Sequence, residues 1–182
     1  DVILIVGAAG GVGSILVQLA SVLTGATVIA SASRESSAKW VKKLGADYVV
    51  DHSKPLEEQV NQLNIGQVTH VASLTHTDSY LDSYVELLAP MGKIALIDDP
   101  QSIDIRKLKP KCLSLHWEFM FTRSMFNTVD ISEQHNLLNK VSELIDQGYI
   151  QTTVGKNLGT INAKNLRIAH EELELGKSIS AI

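Results

Sequence analysis

The sequence is poor in the features that mark disulfide-rich, disordered or strongly basic proteins. Of its 182 residues, one is cysteine, four are proline and 5% are aromatic. A single cysteine cannot form an internal disulfide, so a disulfide scaffold is excluded and a reducing, cytoplasmic compartment is favoured. Sixteen basic residues against twenty acidic ones leave a net charge of -4. This balance argues against nucleic acid or an anionic membrane as the main partner.

Long apolar runs are also missing. No stretch approaches the roughly 18 to 20 apolar residues of a membrane span. The chain enters the apolar run DVILIVG at Asp1 without a methionine or a charged leader, so no secretory signal peptide is visible. We therefore expect a chain that begins in the middle of a fold and holds one domain and part of another.

Short apolar runs alternate with segments of helical periodicity through most of the chain. Strands that alternate with helices of about ten residues imply right-handed crossovers and a mainly parallel sheet. The sequence therefore predicts an α/β fold, a Rossmann-type doubly wound parallel sheet of about six strands. The predicted strands are residues 2–6, 27–32, 48–50, 68–74, 93–97 and 113–117.

The predicted helices and turns complete this alternation. Residues 35–44 form a helix that Gly45 stops, another helix starts near Pro55, and Thr77 or Asp78 caps a third that runs to Leu88, before a turn at residues 89–92. After residue 117 the rhythm changes. Two amphipathic helices, 132–147 and 162–175, flank a strand-like stretch at 152–154. The change of pattern predicts a Rossmann domain at 1–124 and a C-terminal segment of an incomplete second domain at 125–182.

The strongest local signal is the turn GAAGGVG between the first predicted strand and the first helix. A dinucleotide pyrophosphate needs a turn without obstructing side chains and free N–H groups at a helix N-terminus. Gly10, Gly11 and Val12 are the predicted donors, and Gly13 lets the helix pack close to the strand. The usual G-x-G-x-x-G aligns with Ala8, Gly10 and Gly13, so alanine replaces its first glycine. The alternative is a tight structural turn without a ligand.

The end of the second predicted strand bears on which nicotinamide cofactor binds. An acidic residue about 20 residues after the glycine turn holds the ribose hydroxyls of NAD. The chain has Ser31-Ala32-Ser33-Arg34 there, without a carboxylate. Ser33 can donate to a 2′-phosphate and Arg34 can pair with it, so the sequence favours NADP, as NADPH, over NAD. The alternative is that Arg34 is a solvated residue at a helix start.

Loops after the later strands supply further candidate contacts. Ligands in open α/β sheets lie beyond the carboxyl ends of the strands. Leu74 and Thr75 follow the fourth strand, and Ile97 and Asp98 follow the fifth. We expect their backbone to contact the nicotinamide half of the cofactor. His52, after the third strand, is predicted to flank the adenosine end, with an exposed loop histidine as the alternative.

The aromatic run HWEFMF, residues 116–121, has two interpretations. It can form a wall beside the nicotinamide, or it can pack in a core or an interface, where aromatic residues are common.

Signatures of catalytic and metal sites are missing. No G-x-S-x-G and no Tyr-x-x-x-Lys pair occurs, so no catalytic acid or base is predicted. Cys112 has no cysteine partner, and the six histidines show no H-E-x-x-H spacing, so no metal site is predicted. Hydride transfer is chiefly the cofactor's chemistry, which fits the absence of such signatures.

Several stretches together resemble the medium-chain dehydrogenase/reductase superfamily, in the branch of zinc-type alcohol dehydrogenase-like and quinone oxidoreductase-like proteins. They are GAAGGVGSILVQLA, VIASASR, WVKKLGADYVVDH, LAPMGKIALIDDP, LHWEFMFTRSMF and LRIAHEELELGKSI. The glycine turn is generic, whereas HWEFMFTRSMF is specific to that branch.

The resemblance implies an NADPH-dependent oxidoreductase that transfers hydride to a carbonyl, a quinone or an activated alkene. It also implies an N-terminal catalytic domain that is missing here, and residues 125–182 would complete it. The fragment alone is then expected to be weakly active or inactive. The zinc ligands of alcohol dehydrogenases would lie in the missing region, so the resemblance does not establish a metal.

The resemblance bears on assembly as well. Family members dimerise through their sixth strands, which implies a homodimer through Lys111 to Trp117. The ending GKSISAI departs from the family's apolar last strand, which suggests truncation at both ends. A non-catalytic nucleotide-sensing or interaction module is the alternative function.

Overall fold

One parallel sheet defines the architecture. The computed structural model describes residues 1–175 and 179–180. Within this part of the chain, six strands form an all-parallel sheet in the order β3-β2-β1-β4-β5-β6. The predicted Rossmann-type doubly wound α/β fold is confirmed. The strands are β1 (Val2–Val6), β2 (Thr27–Ser31), β3 (Tyr48–Val50), β4 (Val68–Ser73), β5 (Leu88–Leu96) and β6 (Ser114–Trp117).

Helices connect the strands and extend the chain beyond the sheet. A short 3-10 helix, Ile105–Lys111, precedes β6. Four helices lie between strands: α1 (Gly11–Leu23), α2 (Glu35–Lys43), α3 (Leu56–Gln62) and α4 (Thr77–Leu87). Three follow the sheet: α5 (Thr122–Phe126), α6 (Glu133–Asp146) and α7 (Ala163–Glu174). Among the described residues, no helix combines the length and the apolar composition needed to cross a bilayer.

The two faces of the sheet carry separate hydrophobic clusters. Leu4 and Val6 of β1 belong to a cluster with residues of α3 and α4. Ile5, between them, belongs to the cluster formed with α1 and α2. Because alternate side chains of a strand point to opposite faces, a strand covered on both faces is apolar throughout, as β1 is. This double burial fixes the carboxyl end of β1 at the centre of the sheet.

Most predicted boundaries agree with the structure to within one residue. The predicted strands at 2–6 and 48–50 coincide with β1 and β3. α2 ends before Gly45, whose φ of +108° lies in the left-handed region that favours glycine. α6 and α7 are one residue shorter at each end than predicted, because Ser132 and Asn162 are their N-cap residues and Gln147 and Leu175 are their C-cap residues.

The turn predicted at residues 89–92 lies inside a strand, where Met91 has a left-handed φ of +67°, so the predicted start of the fifth strand at residue 93 is wrong. β5 continues through it from Leu88 to Leu96. The pairing with β4 is irregular here, since Val68 pairs with Leu88 whereas His70 pairs with Lys93. The extra residues of β5 include Pro90, which has no N–H for a regular ladder and is tolerated at strand irregularities.

The C-terminal segment returns to the sheet at α1. The side chain of Gln18, which is buried, accepts from the N–H of Gln151 at 2.8 Å and donates to its carbonyl at 3.1 Å. The predicted strand at 152–154 is wrong, because only a single bridge residue, Val154, occurs there. The predicted departure at GKSISAI falls largely on residues 176–178 and 181–182, which lie outside the described residues.

Candidate cofactor-binding site

A cleft opens at the carboxyl ends of β1, β2 and β4. β1 pairs with β2 on one side and with β4 on the other, so the chain reverses its winding direction at this point. Doubly wound sheets bind their ligands at such a reversal. The cleft has a volume of about 740 Å³, within the roughly 300–1,000 Å³ of small-molecule sites. Nine of the ten predicted cofactor-binding residues line it: Gly10, Gly11, Val12, Ser33, Arg34, His52, Leu74, Thr75 and Ile97.

The glycine turn is held by its own backbone and by β2. Gly7 has a φ of +81°, and its N–H donates to the hydroxyl of Ser31 at 3.2 Å. The N–H of Gly10 donates to the carbonyl of Gly7 at 3.2 Å. Of the three predicted pyrophosphate donors, Gly10 therefore uses its N–H inside the turn. The left-handed residue is Gly7, and Ala8 is buried in the core, which explains why alanine is accepted at position 8.

Gly13 lies against the backbone of the turn. A Cβ at this position would be 2.4 Å from the carbonyl oxygen of Gly7 and 2.6 Å from the Cα of Ala8. No side chain fits at that distance. The close packing predicted at Gly13 occurs between the helix and the turn that follows β1.

The N-terminus of α1 opens into the cleft. Gly11 and Val12 are exposed there, and no side-chain hydrogen bond among the described residues caps the helix. The first N–H groups of a helix have no acceptor within the helix, and the helix dipole adds positive potential at this end. An anionic group is the natural ligand of such an N-terminus.

The loop after β2 forms one rim of the cleft. Ser33 and Arg34 are exposed on it. The hydroxyl of Ser37 accepts from the N–H of Arg34 at 3.3 Å and donates to its carbonyl at 2.9 Å, which fixes the backbone of Arg34. None of the described residues that line the cleft carries a carboxylate. The rim therefore favours an anion.

His52 lies inside the cleft and not on an exposed loop. Its backbone carbonyl accepts from the hydroxyl of Tyr80 at 3.3 Å, and its Nδ1 atom is buried without a hydrogen-bond partner among the described residues. Burial lowers the pKa of His52 below its ordinary 6.5. Asp51 opposes this shift in pKa, and Arg34 and His76 add to it.

Stability is expected to fall as the pH drops from about 7 to about 5, because protonating His52 costs more in the folded state than in the unfolded state. The folded-state pKa lies below 6.5, so the full stability is present above pH 6.5 and is lost as the pH falls toward the folded value. Burial lowers the pKa of His70 as well, with the same sign of effect.

Urea unfolding at a series of pH values measures this dependence. His52→Gln and His70→Gln are each expected to flatten the decline of the unfolding midpoint between about pH 7 and pH 5. A decline of unchanged steepness in the double variant would contradict the assignment to these two histidines.

The start of α4 supplies lining residues that the sequence analysis missed. His76, with a φ of +53°, is the N-cap residue in place of the predicted Thr77 or Asp78. His76, Ser79 and Tyr80 line the cleft. The signal for them was available, because a helix that follows a parallel strand starts at the edge of the sheet where the ligand site lies.

Asp98, the tenth predicted residue, does not line the cleft. Its Oδ2 atom accepts from the N–H of Thr77 at 2.8 Å, and its Oδ1 atom accepts from the hydroxyl of Thr77. The carboxylate of Asp98 is therefore bound at the N-terminus of α4.

The aromatic run at residues 116–121 is largely exposed. Trp117, Phe119 and Phe121 all have more than half of their surface accessible, and the rings of Phe119 and Phe121 meet edge to face at 5.5 Å. The interpretation of this run as core packing is therefore wrong. A wall beside the nicotinamide and an interface both stay predictions. The sixth strand starts at Ser114, one residue later than predicted, and Lys111, which was included in the expected dimer contact, ends the 3-10 helix.

The described residues do not assemble a metal centre. No group of three or more His, Cys, Asp or Glu side chains among them is placed to hold a metal ion. Cys112 is exposed and forms no disulfide.

Known proteins that resemble the chain include dehydrogenases. The family model described as zinc-binding dehydrogenase matches residues 11–143. A zinc-type alcohol dehydrogenase-like protein of Staphylococcus epidermidis is 38% identical over 173 residues, which are 94% of this chain and 51% of that protein. An NAD-dependent alcohol dehydrogenase of Sulfolobus acidocaldarius is 30% identical over 96% of this chain and 47% of its own length. The chain thus spans about half the length of the curated relatives it matches.

Solved structures share the fold. A Rhizobium etli protein described as a zinc-dependent alcohol dehydrogenase superposes with a TM-score of 0.95 at 51% identity, over 98% of this chain and 52% of that one. Escherichia coli quinone oxidoreductase in complex with NADPH superposes with a TM-score of 0.82 at 23% identity, over 99% of this chain and 55% of that one. The chain therefore belongs to the zinc-binding dehydrogenase family.

Proposed function

We propose that this chain is the cofactor-binding part of an NADPH-dependent oxidoreductase that transfers hydride to a carbonyl, a quinone or an activated alkene. The observation that carries the proposal is the cleft at the uncapped N-terminus of α1, with Arg34 on its rim and no carboxylate among its described lining residues. The missing Cβ at Gly13 lets α1 start close against the turn, and the open surface at Gly11 leaves room for a pyrophosphate beside the helix. A bound nicotinamide cofactor supplies the hydride.

The residues of the glycine turn bind the pyrophosphate in this proposal. The N–H groups of Gly11 and Val12 donate to it, while Gly10, without a side chain, allows close approach. Leu74, Thr75 and Ile97 contact the nicotinamide half.

The adenosine end determines the choice of cofactor. Ser33 donates to the 2′-phosphate, Arg34 pairs with it, and His52 flanks the adenosine. The relatives do not decide between the cofactors, since one is an NAD-dependent dehydrogenase and another structure holds NADPH. The preference for NADPH rests on Ser33 and Arg34.

The substrate half of the site lies outside the cofactor-binding part. We assign residues 1–124 to the NADP(H)-binding domain and residues 125–182 to a segment that completes the catalytic domain. This chain alone is then weakly active or inactive. The zinc in the family's name finds no donor set among the described residues.

The proposed protein partner is a second copy of this chain, which would bind at the exposed edge of the sheet. β6 is the outermost strand of the described sheet on its side, and we propose that it pairs with the same strand of a second copy. Sedimentation velocity tests this homodimer, and a monomer at micromolar concentration would contradict it. The single cysteine supports a cytoplasmic location.

Titration with NADPH and with NADH, followed by cofactor fluorescence, tests the proposed function. We expect both to bind and NADPH to bind about tenfold more tightly or better, because one charge-assisted contact contributes about 1.5–3 kcal/mol. Failure of both to bind would contradict the proposal as a whole. Tighter binding of NADH would contradict the assignment of Ser33 and Arg34.

A further inference from the structure

Three buried hydroxyl groups and a carboxylate form a chain of hydrogen bonds behind the wall of the cleft. Ser73 ends β4, Thr77 begins α4, and Tyr84 lies two turns further along α4; all three are 0% exposed. The Oγ atom of Ser73 lies 2.8 Å from the hydroxyl of Tyr84 and 2.7 Å from the hydroxyl of Thr77. The hydroxyl of Thr77 in turn contacts Asp98.

The direction of these hydrogen bonds is set by Asp98. An ionised carboxylate only accepts, so the hydroxyl of Thr77 donates to it and cannot also donate to Ser73. Ser73 therefore donates to Thr77, and Tyr84 donates to Ser73. Burial raises the pKa of Tyr84, which keeps this terminal donor protonated. The carboxylate of Asp98 thus sets the direction of all three hydroxyl protons in this network.

The hydrogen-bonded residues flank the loop that lines the cleft. Ser73 precedes residues 74–76 and Thr77 follows them, so both ends of the loop are tied to the same network. The loop lies against the glycine turn, since a Cβ on Gly7 would be 3.2 Å from the Cγ2 of Thr75 and 3.4 Å from the Cβ of Leu74. The loop ends in His76, whose left-handed φ of +53° is unfavourable for a residue with a side chain unless the surroundings impose it.

We propose that Asp98 is a positioning residue of the cofactor cleft: through Thr77 and the hydroxyls of Ser73 and Tyr84, it holds the loop at residues 74–76 at the distance from the glycine turn that dinucleotide binding requires. The inference rests on the proposed function. The same contacts keep the carboxylate at the N-terminus of α4, where the helix dipole favours a negative charge, and outside the cleft that an anionic ligand enters.

Four variants of the full chain test this role. Thr77→Val removes the hydroxyl but keeps the volume, Thr77→Ser restores the hydroxyl, and Asp98→Asn replaces one acceptor oxygen by a donor. The control is Thr69→Val, since Thr69 lies on β4, as Ser73 does, but away from the cleft. It removes a hydroxyl that accepts from the N–H of Val2 and donates to its carbonyl, both at 3.0 Å.

Two quantities are measured for each variant: the Kd for NADPH by fluorescence titration and the amide hydrogen exchange of residues 74–77 without ligand. Thr77→Val and Asp98→Asn are expected to weaken NADPH binding about tenfold and to speed exchange in the loop. Thr77→Ser is expected to retain both properties of the wild-type chain. Thr69→Val is expected to retain the NADPH affinity within about twofold, even where it lowers stability.

The outcomes separate this inference from the proposed function. Wild-type affinity in both Thr77→Val and Asp98→Asn would overturn the positioning role while leaving the proposed function intact. Failure of the wild-type chain to bind either cofactor would overturn the proposed function, and the inference with it. If Thr77→Val does not fold, Tyr84→Phe tests the far end of the same network, and wild-type affinity and exchange in that variant would overturn the inference.

Discussion

Replacing Gly13 with valine is expected to abolish NADPH binding and to destabilise the fold. A Cβ at this position would lie 2.4 Å from the carbonyl oxygen of Gly7 and 2.6 Å from the backbone of Ala8. These are backbone atoms of the glycine turn, so no change of rotamer relieves the overlap, and α1 must move away from β1. Overpacking of this kind costs about 1–3 kcal/mol or more. The displaced turn no longer presents its N–H groups, so we expect the NADPH affinity to fall at least about 100-fold.

Two other glycines separate binding from folding in this experiment. A Cβ on Gly11 or on Gly25 would meet no atom within 4 Å. Gly11→Ala is expected to fold like the wild-type chain but to weaken NADPH binding, because in the proposed function its methyl group would lie where the pyrophosphate approaches. Gly25→Ala, in the connection between α1 and β2, is expected to change neither property. Thermal unfolding and NADPH titration measure both quantities, and wild-type affinity in Gly13→Val would contradict the expectation.

The sheet is predictable because strands that are buried on both faces are short, continuous apolar runs in the sequence. β1 is apolar at every position since both of its faces are covered, and its predicted limits match the structure. The end of α2 is predictable because Gly45 adopts a φ of +108° that other residues avoid. The start of β5 at Leu88 is not predictable from local sequence, because Pro90 and Gly92 mark turns in most contexts, and the irregular pairing with β4 that accommodates them depends on the partner strand.

The candidate site was predictable residue by residue where a loop directly follows a strand. Ser33, Leu74 and Ile97 all reach the cleft for this reason. Two features depend on contacts that sequence spacing does not encode. The N–H of Gly10 is used inside the turn, and the carboxylate of Asp98 bonds with Thr77, which lies 21 residues earlier in the chain.

Arg34→Glu is expected to reverse the cofactor preference. In the proposed function, Arg34 pairs with the 2′-phosphate, and the substitution replaces that attraction with repulsion between two negative groups. We expect the NADPH affinity to fall about 100-fold, since loss of a charge-assisted contact and the added repulsion together amount to about 3 kcal/mol. A carboxylate at the end of β2 can accept from the ribose hydroxyls of NADH, so the NADH affinity is expected to stay constant or to rise.

Glutamate at this position retains the backbone N–H and carbonyl through which Arg34 bonds with the hydroxyl of Ser37. A glutamate is also favourable at the start of α2, where the helix dipole attracts negative charge. Lys39→Glu is the matched control: it makes the same change in charge on α2, the helix that follows Arg34, at an exposed lysine that pairs with Glu35 at 2.6 Å and does not line the cleft.

Titrations of the three chains with NADPH and NADH at low and high salt measure the effect. The ratio of the two affinities is expected to invert in Arg34→Glu and to stay at the wild-type value in Lys39→Glu. Because Arg34 is exposed, salt screens its charge, so the difference between wild type and Arg34→Glu is expected to shrink at high ionic strength. An unchanged ratio of NADPH to NADH affinity in Arg34→Glu at low salt would show that Arg34 does not contact the 2′-phosphate.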